Sequence, residues 1–109
     1  MITVKFLDNC KDGILYDGSV YRFQVSRVQA SRTVVVRISG QAQLGPAQLG
    51  KSLSSDQLRE VASAWLRSRL KRGDCDPFSR PGTDNMVEDL PSAILDYWVE
   101  NQSIPPHLV

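Results

Sequence analysis

Polar and apolar residues alternate along the first third of the chain, then fall into a helical period over the rest. Ile2, Val4 and Phe6 alternate with Thr3, Lys5 and Leu7, which predicts a strand over 2–7. Asp8-Asn9 and Asp12-Gly13 supply turn residues, and Ile14 to Tyr16 read as a brief second piece. Asp17-Gly18, which follows, suits a type I′ hairpin turn. From Val20 to Val28 the period is two, with Tyr21, Phe23 and Val25 on one face and Arg22, Gln24 and Ser26 on the other. Gln29-Ala30-Ser31 forms a connection to a further strand over 32–39, where Val34, Val36 and Ile38 face the core and Thr33, Val35 and Arg37 face away. Such short connections favour antiparallel pairing, because parallel neighbours need a long crossover.

Residues 40–53 lose all period and carry a tandem repeat, AQLGP then AQLGK, so they read as a loop. Ser54 and Gln57 have the spacing of a capping box, with Leu53 and Leu58 at the hydrophobic-staple positions. Leu58, Val61, Ala62, Trp65, Leu66 and Leu70 then recur on one helical face and Gly73 stands just past the end, predicting a helix over 54–72. Residues 73–86, with Pro77 and Pro81-Gly82, read as a second loop. A second helix is expected over about 90–100, with Asp89 as cap, Pro91 in its first turn, and Leu90, Ile94, Leu95 and Trp98 buried. The tail, 103–109, is extended by Pro105-Pro106. These elements make one α+β domain over 1–109, an antiparallel sheet of three or four strands covered on one face by two helices.

Composition narrows the class without naming a function. With 109 residues, 41% hydrophobic and 23% charged, the chain can bury a core of its own. No apolar run approaches the ~20 residues of a membrane span. The cysteines, Cys10 and Cys75, lack the spacing of a disulfide scaffold or a zinc site, and together with the strand-like start they point to a cytoplasmic protein. Asp74, Asp76 and the sole histidine, His107, are too scattered to complete a metal site, so no metal or cofactor is expected. No nucleophile stands beside a base, and acids flanking Cys75 would raise its pKa, so no catalytic residue is assigned and the chain reads as a non-enzyme.

Charge is polarised along the chain. Residues 1–80 hold all 13 Lys and Arg against seven acids, a net +6, whereas 81–109 hold five acids and no base, a net −5. The basic end of the first helix, Arg67, Arg69, Lys71 and Arg72, extended by Arg22 and Arg37 on the outward strand faces, is therefore a candidate nucleic-acid surface. Its competitor is internal neutralisation by Glu88, Asp89, Asp96 and Glu100.

One motif matches by letter. Residues 45–52, GPAQLGKS, fit the phosphate-loop pattern, with Gly45, Gly50, Lys51 and Ser52 at the specified positions. A working loop leaves a strand directly and places its Lys and Ser in the first turn of a helix, yet here the capping signature falls on Ser54. Nucleotide binding is accordingly the minor alternative and chance the preferred account. The expected role is a small regulatory or binding protein whose partner is another protein or a second copy of itself; nucleic acid is the alternative partner and no membrane contact is expected.

Overall fold

A computed structural model describes residues 2–9, 17–79 and 86–105. Strand β1 (Thr3–Asn9), β2 (Gly18–Arg27) and β3 (Ala30–Ser39) are followed by a short helix α1 (Leu44–Gln48) and the long helix α2 (Ser55–Arg72). Strand β4 (Met86–Asp89) and helix α3 (Ser92–Asn101) complete the order. The strands form one sheet, β1-β2-β3-β4, in which β1, β2 and β3 pair antiparallel and β4 lies parallel to β3. The fold is α+β, as the alternation of period two with helical period predicts.

The inner sheet face is the expected one. Tyr21, Phe23 and Val25 of β2 and Val34, Val36 and Ile38 of β3 are buried, and they meet Leu58, Val61, Ala62, Trp65 and Leu66 of α2 with Ile94, Leu95 and Trp98 of α3. The outward face departs from expectation in one respect: Val20 and Val35 are only 6% and 5% exposed there. Both sit on interior strands beside long cross-strand partners, Arg37 and Arg22, whereas Leu7 and Val87 on the two edge strands remain 41% and 49% exposed. Strand position, rather than face alone, sets their burial.

Four local expectations change. Asp17-Gly18 is not a hairpin tip, because Gly18 already opens β2 opposite Ser39; residues 14–16 lie outside the described residues. The segment 40–53 is not all loop, since Leu44–Gln48 close one short helix with Pro46 fully buried. Residues 86–89 belong neither to a loop nor to a helix start. They form β4, in which Met86 pairs with Val34 and Asp89 with Arg37, so Asp89 cannot cap α3. Leu90 still donates its amide to the Arg37 carbonyl at 2.9 Å, and Pro91, with no N–H and a φ of −64°, then turns the chain into α3 at Ser92. Of the tail, Ile104 packs against the core and Pro105 is buried, while 106–109 lie outside the described residues.

Helix α2 has the start that its sequence announces. Ser54 Oγ accepts from the Gln57 amide at 3.2 Å, and the Gln57 side chain accepts from the Ser54 amide at 2.8 Å. Gly73 ends it with a φ of 78°, a left-handed conformation that suits glycine. Ser54→Ala removes one of those two acceptors, and a denaturant melt should show the variant less stable by about 0.5–2 kcal/mol. An unchanged midpoint would mean that solvent satisfies the first turn equally well.

Candidate interaction surface

Four backbone amides of GPAQLGKS are already committed to nearby carbonyls. Gly45 lies inside α1, where an added Cβ would come within 2.7 Å of Asp96 Oδ1, so this glycine serves the approach of α1 to α3. The amides of Ala47, Leu49, Gly50 and Lys51 donate to carbonyls of Gln43, Gly45, Pro46 and Ala47, and Pro46 has no amide proton to give. A phosphate would also meet the carbonyl end of α1 rather than the positive end of a helix. Asp96, which resembles a magnesium-binding aspartate by its letters AILD, sits in α3 and not at a strand end.

The six arginines and lysines of the basic cluster do not share one surface. Successive helical residues turn by about 100°, so Arg67 and Lys71 face one side of α2 while Arg69 faces another. Arg69 lies over the Trp65 ring at 5.0 Å and donates to Glu88 at 3.1 Å and to the Asp74 carbonyl at 3.1 Å, with both members of the Arg69–Glu88 ion pair largely covered. Arg22 and Arg37 are on the opposite face of the sheet from α2. Arg37 grips Asp89 through two bonds of 2.7 and 3.0 Å, and Arg22 holds Asp8 in the same two-pronged manner. Hydrogen bonding from Arg22 keeps the Asp8 carboxyl below its usual range, against a smaller opposing effect of desolvation. Arg67 donates to Ser63 Oγ at 3.2 Å and to the Val4 carbonyl of β1 at 3.0 Å. The acidic segment thus engages the basic one through Glu88 and Asp89 of β4, while Asp96 lines a separate hollow with Gln41, Gly45 and Ser92.

A groove that these considerations did not anticipate runs between β1 and α2, with a volume of about 490 Å³. Phe6 and Phe23 form its floor, edge to face with ring centroids 5.7 Å apart. Asp56, Glu60, Ser63, Ala64 and Arg67 recur at steps of three and four residues along its helical wall, and Arg59 reaches over Phe6 at 4.9 Å. Among the described residues β1 is an edge strand, so the apolar floor adjoins a strand with no further strand beside it there. The sequence carried a signal for this wall in the polar face of α2, but a polar face ordinarily marks only solvent.

Cys75 is buried beneath the sheet edge, 3.7 Å from Met86 Sδ. Burial, with Glu88 beside it, lifts its thiol from 9.0 to about 11. Among the described residues no group of His, Cys, Asp or Glu could hold a metal ion; Cys10 and His107 lie outside them. At the other end of the inner sheet, Arg27 lies 4.2 Å over the ring of Phe78 and Arg32 5.9 Å from it.

Comparison with known proteins finds no matching family, no similar curated protein and no similar solved structure.

Both the loop and the thiol can be tested directly. Lys51→Ala should leave stability unchanged, and neither protein should bind a nucleoside triphosphate at micromolar concentration in calorimetry; binding lost in the variant would restore the phosphate-loop reading. At pH 8 a thiol with a pKa of about 11 has roughly a hundredfold less thiolate than one at 9.0. In a Cys10→Ser chain, native Cys75 should therefore be alkylated at least a hundredfold more slowly than the unfolded protein, and comparable rates would show the site to be open.

Proposed function

We propose that this chain is a small non-enzymatic binding or regulatory protein that works by docking another polypeptide at the groove between β1 and α2. The observation that carries this reading is the pairing of an aromatic floor, the half-buried Phe6 backed by the fully buried Phe23, with an exposed charged rim beside an edge strand of the described sheet. Aromatic anchors in a cleft supply most of the energy of a protein contact, and charges around them select the partner. Internal pairing of Arg22, Arg37 and Arg69 supports the same reading, since it withdraws three cations from phosphate binding. A free buried thiol at Cys75 accords with residence in the reducing cytoplasm.

Nucleic acid is the second reading, and one observation favours it. Arg27 and Arg32 flank Phe78 with no carboxylate in ion-pair range among the described residues, beside the hairpin tip where Val28 is 91% exposed. Aromatic and guanidinium planes of this kind stack on single-stranded bases.

A photoreactive amino acid placed in turn at Ser63 and at Val28 separates the two. Irradiation in cells should give a polypeptide adduct at Ser63 and none at Val28. A nucleic-acid adduct at Val28, with a gel shift that weakens steeply as salt rises, would replace this reading by the second.

A further inference from the structure

We infer that the partner seated along α2 is a second copy of this chain, held antiparallel across a twofold axis between Ser63 and Ala64. This rests on the reading of the groove as a polypeptide-docking surface and names its occupant.

The argument begins with the order of charges along one helical face. Asp56, Glu60, Ser63, Ala64, Arg67 and Lys71 lie on one stripe of α2, acidic in its first half and basic in its second. Ser63 and Ala64 stand at the middle of the helix, which runs Ser55–Arg72. Asp56 and Lys71 are equally far from that midpoint, and so are Glu60 and Arg67. Turning a second copy end over end about the midpoint therefore sets Asp56 against Lys71 and Glu60 against Arg67, and the symmetry repeats both pairs. A twofold contact requires a patch that complements itself, and this stripe does so at each charged position. Reversing any one of the four signs would set like against like.

Packing agrees with the charges. Small side chains at the crossing point let two helices approach to about 8 Å, and Ser63 and Ala64 are the two small residues of the stripe. Toward either end, where the axes diverge, the residues are long enough to span the gap. These charges are also available. Among the described residues Glu60 and Lys71 have no ion-pair partner, Asp56 is 86% exposed at a loose 3.6 Å from Arg59, and Arg67 uses only Nε and Nη2. Its Nη1 is left to donate to a carboxylate of the other copy.

Exposed ion pairs contribute little affinity each. Their role is to set direction and register, while the aromatic floor and the small-residue crossing exclude water. The dimer is consequently weak, reversible and sensitive to salt.

Sedimentation of the full chain, over a concentration series at low and high salt, should show a monomer–dimer equilibrium that shifts toward monomer as salt rises. E60R sets cation against cation at both symmetry-related contacts with Arg67 and should raise the dissociation constant at least tenfold; R67E sets acid against acid there and should do the same. Mixed in equal amounts, these two variants form complementary pairs at both positions, so the heterodimer should return to near the wild-type affinity. Because R67E also loses the bonds to Ser63 and Val4, the outer pair D56K and K71E provides the same test with side chains that contact little of their own chain. A chain that stays monomeric at millimolar concentration, or a dimer indifferent to the single charge reversals, overturns the inference. So does a Ser63 adduct containing only a different polypeptide, though that result leaves the docking reading standing.

Discussion

Everything in this molecule depends on the seating of α2 across the inner face of β2 and β3. Six residues of its apolar stripe are buried, and Trp65 is among the largest fully buried side chains. A sheet with one apolar face needs a cover, and α2 is long enough to provide most of it: 18 residues, or about 27 Å. The same helix carries the chain back from the end of β3 to the start of β4, which is why a parallel strand can join an otherwise antiparallel sheet. Tyr21 reinforces this seat by donating its hydroxyl to the Ser55 carbonyl at 3.2 Å, tying the first turn of the helix to β2.

That placement also disposes of the charge. With α2 on the inner face and β4 beside β3, Glu88 points toward Arg69 and Asp89 toward Arg37, on opposite sides of the sheet. Alternation along a strand of four residues thus sends two adjacent acids to two different cations. Both the Arg69–Glu88 pair and the raised thiol of Cys75 follow from the burial of this edge, since the carboxylate that satisfies the guanidinium also disfavours a thiolate nearby. On the far side of α2, where charge is ordered along the helix, Glu60 and Lys71 have no ion-pair partner among the described residues.

How much of this was legible depends on whether a feature is local. The capping box at Ser54 and Gln57, the alternation from Tyr21 to Val25 and the stripe from Leu58 to Leu70 all report on neighbours within one element, and each was readable. The β4 strand was not, because Met86–Asp89 is only four residues long and finds its partner on Val34 to Arg37, far earlier in the chain. Helix α1 was hidden for another reason. Five residues that include Gly45 and Pro46 would not hold a helix alone, and it exists because Pro46 and Ala42 are buried against the body of the protein. The groove escaped notice because its floor comes from β1 and β2 and its wall from α2; no one segment shows a cleft.

The polar face of α2 shows why charge composition and charge order are different kinds of information. Four cations in six residues at the end of a helix look like a phosphate-binding run when counted, and the helix macrodipole alone would account for them. Once they are placed on the helix, Arg69 turns inward to Glu88 while Arg67 and Lys71 continue the row begun by Asp56 and Glu60. A row that changes sign at its midpoint repels a parallel copy of itself and attracts an antiparallel one. The fold asks for a donor at Arg67, which bonds the Val4 carbonyl of β1, but it asks nothing of the signs at Glu60 and Lys71, which lie off the buried stripe and would be equally well solvated in either order. The dipole favours acids at the start and bases at the end by a few tenths of a kcal/mol each and acts mainly on the first and last turns. Glu60 and Arg67 lie between those turns, in the middle of the helix. The acid at Glu60 is the part of the pattern that helix stability leaves free, and it is the part that an antiparallel partner would account for.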